Sequence, residues 1–240
     1  MNIYDNEKFF AAYAEMSRSS GLENAGEWHQ LEPLFPSLLG TRVLDLGCGY
    51  GWHCRYAVEH GAEYVLGIDQ SEKMISAAEV KNPHEHIEYR NCGIEEYGYP
   101  TEEFDLAVSN LVLHYIENLD EVYRNVYRTL KPGGVFLFNI EHPVFTAGVD
   151  QEWVTENGEA KHWPVDDYYY PGRRETVFLG QKVEKQHHTL TQILNGLLRC
   201  GFTLEAVEEA MPAEKDRHLP WMKDEMRRPM MLLVRARKGN

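Results

Sequence analysis

The 240-residue sequence has no apolar stretch near the ~18 residues that a membrane-spanning helix requires. Residues 1–10 also lack the apolar core of a secretory signal, since they include Asp5, Glu7 and Lys8. Cysteine is scarce, and its spacing matches neither a CxxC pair nor a Cys/His zinc pattern. The four cysteines are Cys48, Cys54, Cys92 and Cys200. These absences predict a cytoplasmic protein with reduced, small, buried cysteines and no metal site.

Positive charge is also in short supply. The 24 Lys and Arg residues face 38 Asp and Glu residues, which gives a formal net charge of −14. Such a chain repels phosphate backbones and anionic lipid, so neither nucleic acid nor a membrane surface is an expected partner. The basic clusters at 173–174, 227–228 and 235–238 are short, and we expect them to be solvated surface.

The segment Val43–Gly51, VLDLGCGYG, is the most informative part of the sequence. Its apolar first half is typical of a parallel strand that is covered on both faces. The three alternate glycines allow a tight turn and a close approach of the backbone to a ligand. A helical pattern follows at once, so the segment predicts a mononucleotide-type pocket at the carboxyl end of a parallel sheet.

Strand and helix patterns alternate on both sides of this segment, which predicts a doubly wound α/β sheet with helices on both faces. The expected strands are 42–46, 64–68, 86–90, 104–109, 135–140, 203–208 and 230–236. The expected helices are 6–16, 25–35, one ending at 60, 72–80, 120–130 and 189–200, with a turn at 130–134.

Three interpretations of the glycine turn compete. It is a structural turn, a dinucleotide site of an oxidoreductase, or a site for another nucleoside. A dinucleotide site needs glycine where this sequence has Trp52, and an indole there conflicts with pyrophosphate on the helix terminus. Asp69 ends the second strand pattern, where a carboxylate accepts both ribose hydroxyls, while Ser71 is the better helix cap. The residues therefore favour a nucleoside other than a dinucleotide.

Four segments in order resemble the motifs of class I S-adenosylmethionine-dependent methyltransferases. They are VLDLGCGYG, LGIDQSEKM, FDLAVSNLVLHYI and LKPGGVFLF, which together cover about residues 41–140. The final segments GFTLEAVEE and PMMLLVRARK are similar to the family's last pair of strands. The nearest group is the small-molecule methyltransferases of type 11, which include quinone-biosynthesis enzymes. The resemblance implies a Rossmann-like, seven-stranded, mostly parallel sheet with an antiparallel last strand, and S-adenosylmethionine as methyl donor.

By this resemblance, Gly47, Gly49 and Gly51 pack along the homocysteine part of the cofactor, and Asp45 holds its ammonium group. By the same resemblance, Asp69 binds the ribose hydroxyls, and Gln70 and Met74 pack against adenine. Asn110 and Leu111 lie near the sulfonium and the methionine portion. Tyr13 and Arg18 close over the carboxylate. Tyr13 is equally well interpreted as core packing.

The third motif departs from the family pattern. Gly93 stands where the family often has an aspartate for the adenine amino group. We therefore expect the backbone of Gly93 and Ile94 to contact adenine, with Glu95 as a substitute.

A general base is needed only for an acceptor that loses a proton. His114 follows the fourth strand and is the first candidate, although an ordering contact or a helix start explains it equally well. Glu141 and His142 follow the fifth strand and either orient a substrate or form a hinge. His187 and His188 are expected to form a surface pair.

The expected organisation is one methyltransferase domain with four parts: an amino-terminal helical cap (1–40), the cofactor-binding core (41–141), an aromatic lid insertion (142–188) with a hairpin at 174–188, and a closing helix and strand pair (189–240). In the insertion, Trp153, Trp163 and Tyr168–Tyr170 either wall an apolar or aromatic small-molecule acceptor or form their own small core. The competing functions are a non-catalytic cofactor-binding protein and an NAD-dependent oxidoreductase. Base methylation is disfavoured, because Ser109–Val112 does not match an Asn-Pro-Pro-Tyr motif.

Overall fold

Seven strands form one sheet in the computed structural model, which describes residues 2–148 and 150–239. The strands of the whole chain are β1 (Arg42–Leu46), β2 (Tyr64–Asp69), β3 (Ile87–Asn91), β4 (Phe104–Asn110), β5 (Leu130–Glu141), β6 (Val154–Glu156), β7 (Glu159–His162), β8 (Gly172–Phe178), β9 (Gln181–His187), β10 (Phe202–Glu209) and β11 (Met231–Lys238). The sheet order is β10-β11-β5-β4-β1-β2-β3. Only β11 runs antiparallel to its neighbours, so the predicted Rossmann-like sheet is confirmed.

The helices are α1 (Glu7–Ala14), α2 (Trp28–Leu31), α3 (Trp52–Glu59), α4 (Glu72–Lys81), α5 (Leu119–Thr129), α6 (Pro143–Thr146) and α7 (Leu190–Cys200). They cover both faces of the sheet. Phe136 and Phe138 of β5 pack into the core beneath α5 and α7, whereas Val135 and Leu137 pack into the core with α2 and α3. This burial on both sides is the reason that the strands are apolar without alternation. None of the helices within the described ranges is long and apolar enough to cross a bilayer.

Two predicted helices are shorter than expected, and one predicted turn lies inside a strand. The helix expected over 25–35 is α2 followed by a single 3-10 turn, Glu32–Leu34, because Pro33 lacks the N–H that an α-helix would use. The helix expected over 6–16 ends at Ala14. At 130–134 the chain pairs with β4 at Leu130, and the register then shifts before pairing resumes at Val135.

The insertion contains two hairpins outside the main sheet, β6–β7 and β8–β9, and the second was predicted. Side chains on β9 alternate, so that Val183, Lys185 and His187 are buried. The expectation of a surface histidine pair is therefore wrong. His187 lies on the buried face of β9, and His188 Nε2 is 2.8 Å from the carbonyl of Ile116.

The turn after β1 holds three glycines in left-handed conformations, Gly47 (φ 76°), Gly49 (φ 52°) and Gly51 (φ 77°). A Cβ on Gly51 would overlap the Tyr89 hydroxyl, whereas a Cβ on Gly49 would meet nothing within 4 Å. Both glycines have a left-handed backbone, but only Gly51 is also constrained by the packing of a neighbouring side chain.

We expect Gly51→Ala to lower the free energy of unfolding by roughly 2–5 kcal/mol, since it adds an overlap to the strain of a left-handed backbone. Gly49→Ala should lower it by only about 1–2 kcal/mol, because the backbone strain acts alone. Urea denaturation of the two variants beside wild type checks this difference. Equal losses would contradict it.

Candidate functional site

A cleft of about 190 Å³ opens at the carboxyl ends of β1, β2 and β4. Its walls come from the glycine turn, the residues after β2 and β3, the segment after β4 and the amino-terminal segment. The lining residues are Asn2, Tyr4, Gly47, Gly49, Asp69, Gln70, Met74, Gly93, Ile94, Glu95, Glu96, Leu111, Val112, Tyr115 and Ile116. Most cofactor residues predicted from the sequence thus share one cleft.

Asp69, the last residue of β2, places its carboxyl group in the wall of the cleft. Its Oδ2 accepts a hydrogen bond from the Gly49 N–H at 3.0 Å, and its Oδ1 accepts one from the Ser71 N–H at 2.8 Å. Burial raises the pKa of this carboxyl to about 6, although both backbone hydrogen bonds act in the opposite direction. Near neutral pH the cleft therefore presents a carboxylate held in one orientation.

Asp45 lies one layer deeper, in β1, and is only 1% exposed. Its Oδ2 accepts a hydrogen bond from the Cys54 thiol at 3.2 Å, and its Oδ1 has no partner among the described residues. Burial raises the pKa of Asp45 to about 7, with a smaller contribution from Asp69. Unlike Asp69, Asp45 is not among the residues that line the cleft.

Comparison with known proteins identifies the family to which the chain belongs. A family model for a methyltransferase domain matches residues 44–138. The crystal structure of an S-adenosylmethionine-dependent methyltransferase from Mesorhizobium loti is 43% identical, with a TM-score of 0.84 over 91% of this chain and 100% of that one. The chain belongs to the class I S-adenosylmethionine-dependent methyltransferases. S-adenosylmethionine is its cofactor.

Two further relatives match over almost their full length. A structure from Listeria monocytogenes, provisionally assigned to the same class, is 45% identical, with a TM-score of 0.88 over 91% of this chain and 99% of that one. An uncharacterised protein of Haemophilus influenzae is 30% identical over 99% of this chain and 97% of its own length. The resemblance read from the sequence motifs is thereby confirmed.

In this methyltransferase the amino-terminal segment covers part of the cleft. The Tyr4 and Tyr115 hydroxyls share a hydrogen bond at 3.2 Å, and both residues line the cleft. Asp5 fixes the segment, because its Oδ1 accepts from the Ser71 hydroxyl at 2.7 Å. Sequence reasoning missed these residues, since no local pattern indicates that residues 2–5 reach the sheet edge. Tyr13 packs edge-on against Tyr4 and is not a lining residue.

A second polar network joins the amino-terminal region to the ends of β4 and β5. Arg18 donates to both carboxylate oxygens of Glu27, at 3.3 and 3.0 Å, and Glu27 is 1% exposed. The Asn110 amide donates to Glu27 at 3.1 Å and accepts from the Asn139 amide at 2.8 Å. Arg18 and Asn110 thus lie in one network through Glu27, a residue that no sequence pattern indicates.

The three candidate catalytic residues separate into two places. His114 Nε2 lies 3.9 Å from Glu141 Oε1, and Glu141 also pairs with Lys185. His142 instead caps α6, where its Nδ1 accepts from the Val144 N–H at 3.0 Å and its Nε2 lies 3.1 Å from Glu209. Both ring nitrogens of His142 are therefore engaged in holding the start of the insertion.

The aromatic residues of the insertion form their own small core around an arginine. Trp163 stacks on Phe145 at 5.1 Å, and the Trp153 ring meets Trp163 edge-on at 5.3 Å. The guanidinium of Arg228 lies 4.6 Å from the Trp163 ring centre. Tyr169 and Tyr170 are exposed. Of the two interpretations of these residues, the structure favours the separate core. It also corrects the expectation that Arg228 is solvated surface, since Arg228 is 8% exposed.

The parts of the chain that the structure describes contain no group of three or more His, Cys, Asp or Glu side chains arranged to hold a metal ion. All four cysteines are free thiols, and Cys92 and Cys200 are only partly buried.

Because folding raises the pKa of Asp45 from 3.8 to about 7, this carboxyl favours the unfolded state more as pH rises through that interval. We therefore expect Asp45→Asn to stabilise the protein at pH 8, by about 1–4 kcal/mol for a shift of this size. The gain should vanish near pH 4. Urea denaturation at both pH values checks this, with the exposed Asp166→Asn as control. A loss of stability at pH 8 would contradict it.

Proposed function

We propose that this methyltransferase acts on a small molecule and transfers the methyl group by in-line displacement. The observation that carries the proposal is the edge of the cleft where Gly49 and the Asp69 carboxylate meet. A Cβ on Gly49 would meet open space there, which suits close packing of a ligand against the backbone. A carboxylate beside it suits a ribose diol.

We assign the cofactor's parts to the cleft on this basis. Asp69 would accept the ribose hydroxyls, while Gln70, Met74, Gly93 and Ile94 would surround adenine. Gly47, Leu111 and Val112 also line the cleft and would hold the methionine portion. Glu95 and Glu96 also line the cleft and would be available to the adenine amino group.

The deeper residues support the amino-acid end of the cofactor. The unpartnered Oδ1 of Asp45 is a buried acceptor in the strand beneath the glycine turn and suits an ammonium group, directly or through water. Arg18 already pairs with Glu27. It would contact the carboxylate of the cofactor either while keeping this pair or by exchanging it. Asn110 belongs to the same network and would be held in place by Asn139.

S-adenosylmethionine, when bound, supplies a methyl group made electrophilic by the sulfonium. The protein's contribution is then mainly to align the acceptor and exclude water. The Tyr4–Tyr115 pair and the segment Asn2–Tyr4 provide a cover of the required kind over the cleft. A partly covered cleft in a chain of net charge −14 supports a small acceptor and argues against nucleic acid.

His114 is the candidate proton acceptor for an acceptor that carries a hydroxyl. The next residue, Tyr115, lines the cleft. Burial lowers the pKa of His114 to about 4, so its ring is neutral at physiological pH. Glu141 faces Nε2 and favours the proton there, which leaves the lone pair on Nδ1. That atom is buried and has no partner within the described ranges.

The decisive binding test is titration calorimetry with S-adenosylhomocysteine. We expect Asp69→Asn to weaken binding about 10- to 100-fold, the loss typical of a charged hydrogen bond. Affinity of wild type should also fall below pH 6, as Asp69 takes a proton, and this dependence should disappear in the variant. Glu88→Gln, which changes an exposed carboxylate of β3, is the matched control. Equal affinity of Asp69→Asn and wild type would contradict the assignment.

A screen of small hydroxyl, amine and thiol compounds for S-adenosylhomocysteine release tests the acceptor class. Turnover on such a compound is the expected result. Tight cofactor binding without turnover on any acceptor would instead support a non-catalytic cofactor-binding protein.

A further inference from the structure

The insertion places one buried cation beside the candidate proton acceptor. Lys185 of β9 has a side chain that is 5% exposed, with Nζ 2.5 Å from Glu141 Oε1 and 3.2 Å from Gln151 Oε1. Lysine is rarely buried unless it is paired. Lys182, three residues earlier on the same strand, is 76% exposed and pairs with Glu175. Of these two lysines, only Lys185 has its ammonium group inside the protein.

Lys185 and His114 face the same carboxylate. Glu141 Oε1 lies 2.5 Å from Lys185 Nζ and 3.9 Å from His114 Nε2. The Lys185 ammonium is the closer of the two, so it interacts more strongly with Glu141 than His114 does. An imidazolium at His114 would have to share a carboxylate that is already neutralised.

The other ionisable groups around His114 act in the same direction as Lys185. His188 and Arg18 both lower the pKa of His114, and only Glu141 raises it. The Tyr115 ring packs against the imidazole with 4.4 Å between ring centres. Burial is the largest cause of the low pKa, and Glu141 is the group that would oppose it if Lys185 were absent.

We propose that Lys185 is a positioning residue that occupies the Glu141 carboxylate and so keeps His114 an uncharged imidazole, able to take a proton from the acceptor. In that step the proton moves from the acceptor hydroxyl to the lone pair of Nδ1. An imidazolium has no lone pair to offer. The inference rests on the role of His114 given above and adds a contribution of the insertion to the reacting centre.

The test is nuclear magnetic resonance of protein labelled with ¹⁵N-histidine, titrated from pH 8.5 to 5.5. The resonances of His114 are identified by their absence from the spectrum of His114→Gln. In wild type they should keep neutral-imidazole shifts across this range. In Lys185→Met, Glu141 is left without its ammonium partner, and His114 should show a pKa about two units higher, which places its inflection near pH 6, inside the range.

Two variants separate this effect from general disturbance. Lys182→Met removes a charge from the same strand but leaves Glu141 paired, so His114 should behave as in wild type. Lys185→Met with Glu141→Gln removes the carboxylate as well, and His114 should return to a flat titration. Thermal unfolding checks that each variant folds. Lys185→Gln, which keeps a hydrogen-bond donor without the charge, replaces Lys185→Met if that variant does not fold.

The proposal is overturned if wild-type His114 titrates near 6.5, if it remains flat in Lys185→Met, or if the double variant keeps the raised pKa. A proton that settled on Glu141 in Lys185→Met would also overturn it. None of these measurements involves cofactor or acceptor. A failure here is therefore distinct from a failure of cofactor binding or of methyl transfer.

Discussion

The pair of backbone hydrogen bonds to Asp69 is the interaction on which the cleft depends. The Gly49 and Ser71 N–H groups converge on one carboxylate, so the turn after β1 is tied to the start of α4 through the end of β2. The parallel register of β1 and β2 places Leu46 beside Ile68 and brings these ends together. In that turn Gly47, Gly49 and Gly51 have a left-handed backbone, which favours glycine at those positions. The shape of this edge of the cleft therefore requires both the glycines of the turn and the carboxylate of Asp69.

Several carboxylates are buried or nearly buried in and around this edge of the sheet, and buried charges are costly unless paired. Glu27 is paired with Arg18 and Asn110, and Glu141 with Lys185 and Gln151. Asp45 differs from these two carboxylates, since one of its oxygens is unpartnered among the described residues. The apolar cores on both faces of the sheet supply the stability that tolerates such a group. The ammonium site proposed above would give the destabilising carboxylate of Asp45 a function.

The strands, their order and most of the cleft were predictable, because periodicity and turn residues are local signals. The placement of Tyr4, Asp5 and Glu27 was not, since each depends on contacts with residues far along the chain. The role of His142 carried a local signal that the prediction did not use. A histidine followed by Pro143 fits an N-cap with proline at the first helical position, and this is what α6 shows. The buried His187 could likewise have been inferred from alternation along β9.

Strand β9 of the insertion reaches the proposed proton acceptor through Glu141, whereas the tryptophans of the insertion pack in a separate core. Trp163 stacks on Phe145 and meets Trp153 edge-on, and the guanidinium of Arg228 contacts all three rings from the segment before β11. With that side of the insertion fixed, the buried face of β9 is directed towards the end of β5. Lys185 then meets Glu141 there. The aromatic core around Arg228 is thus a support, and β9 is the part of the insertion that faces the proposed proton acceptor.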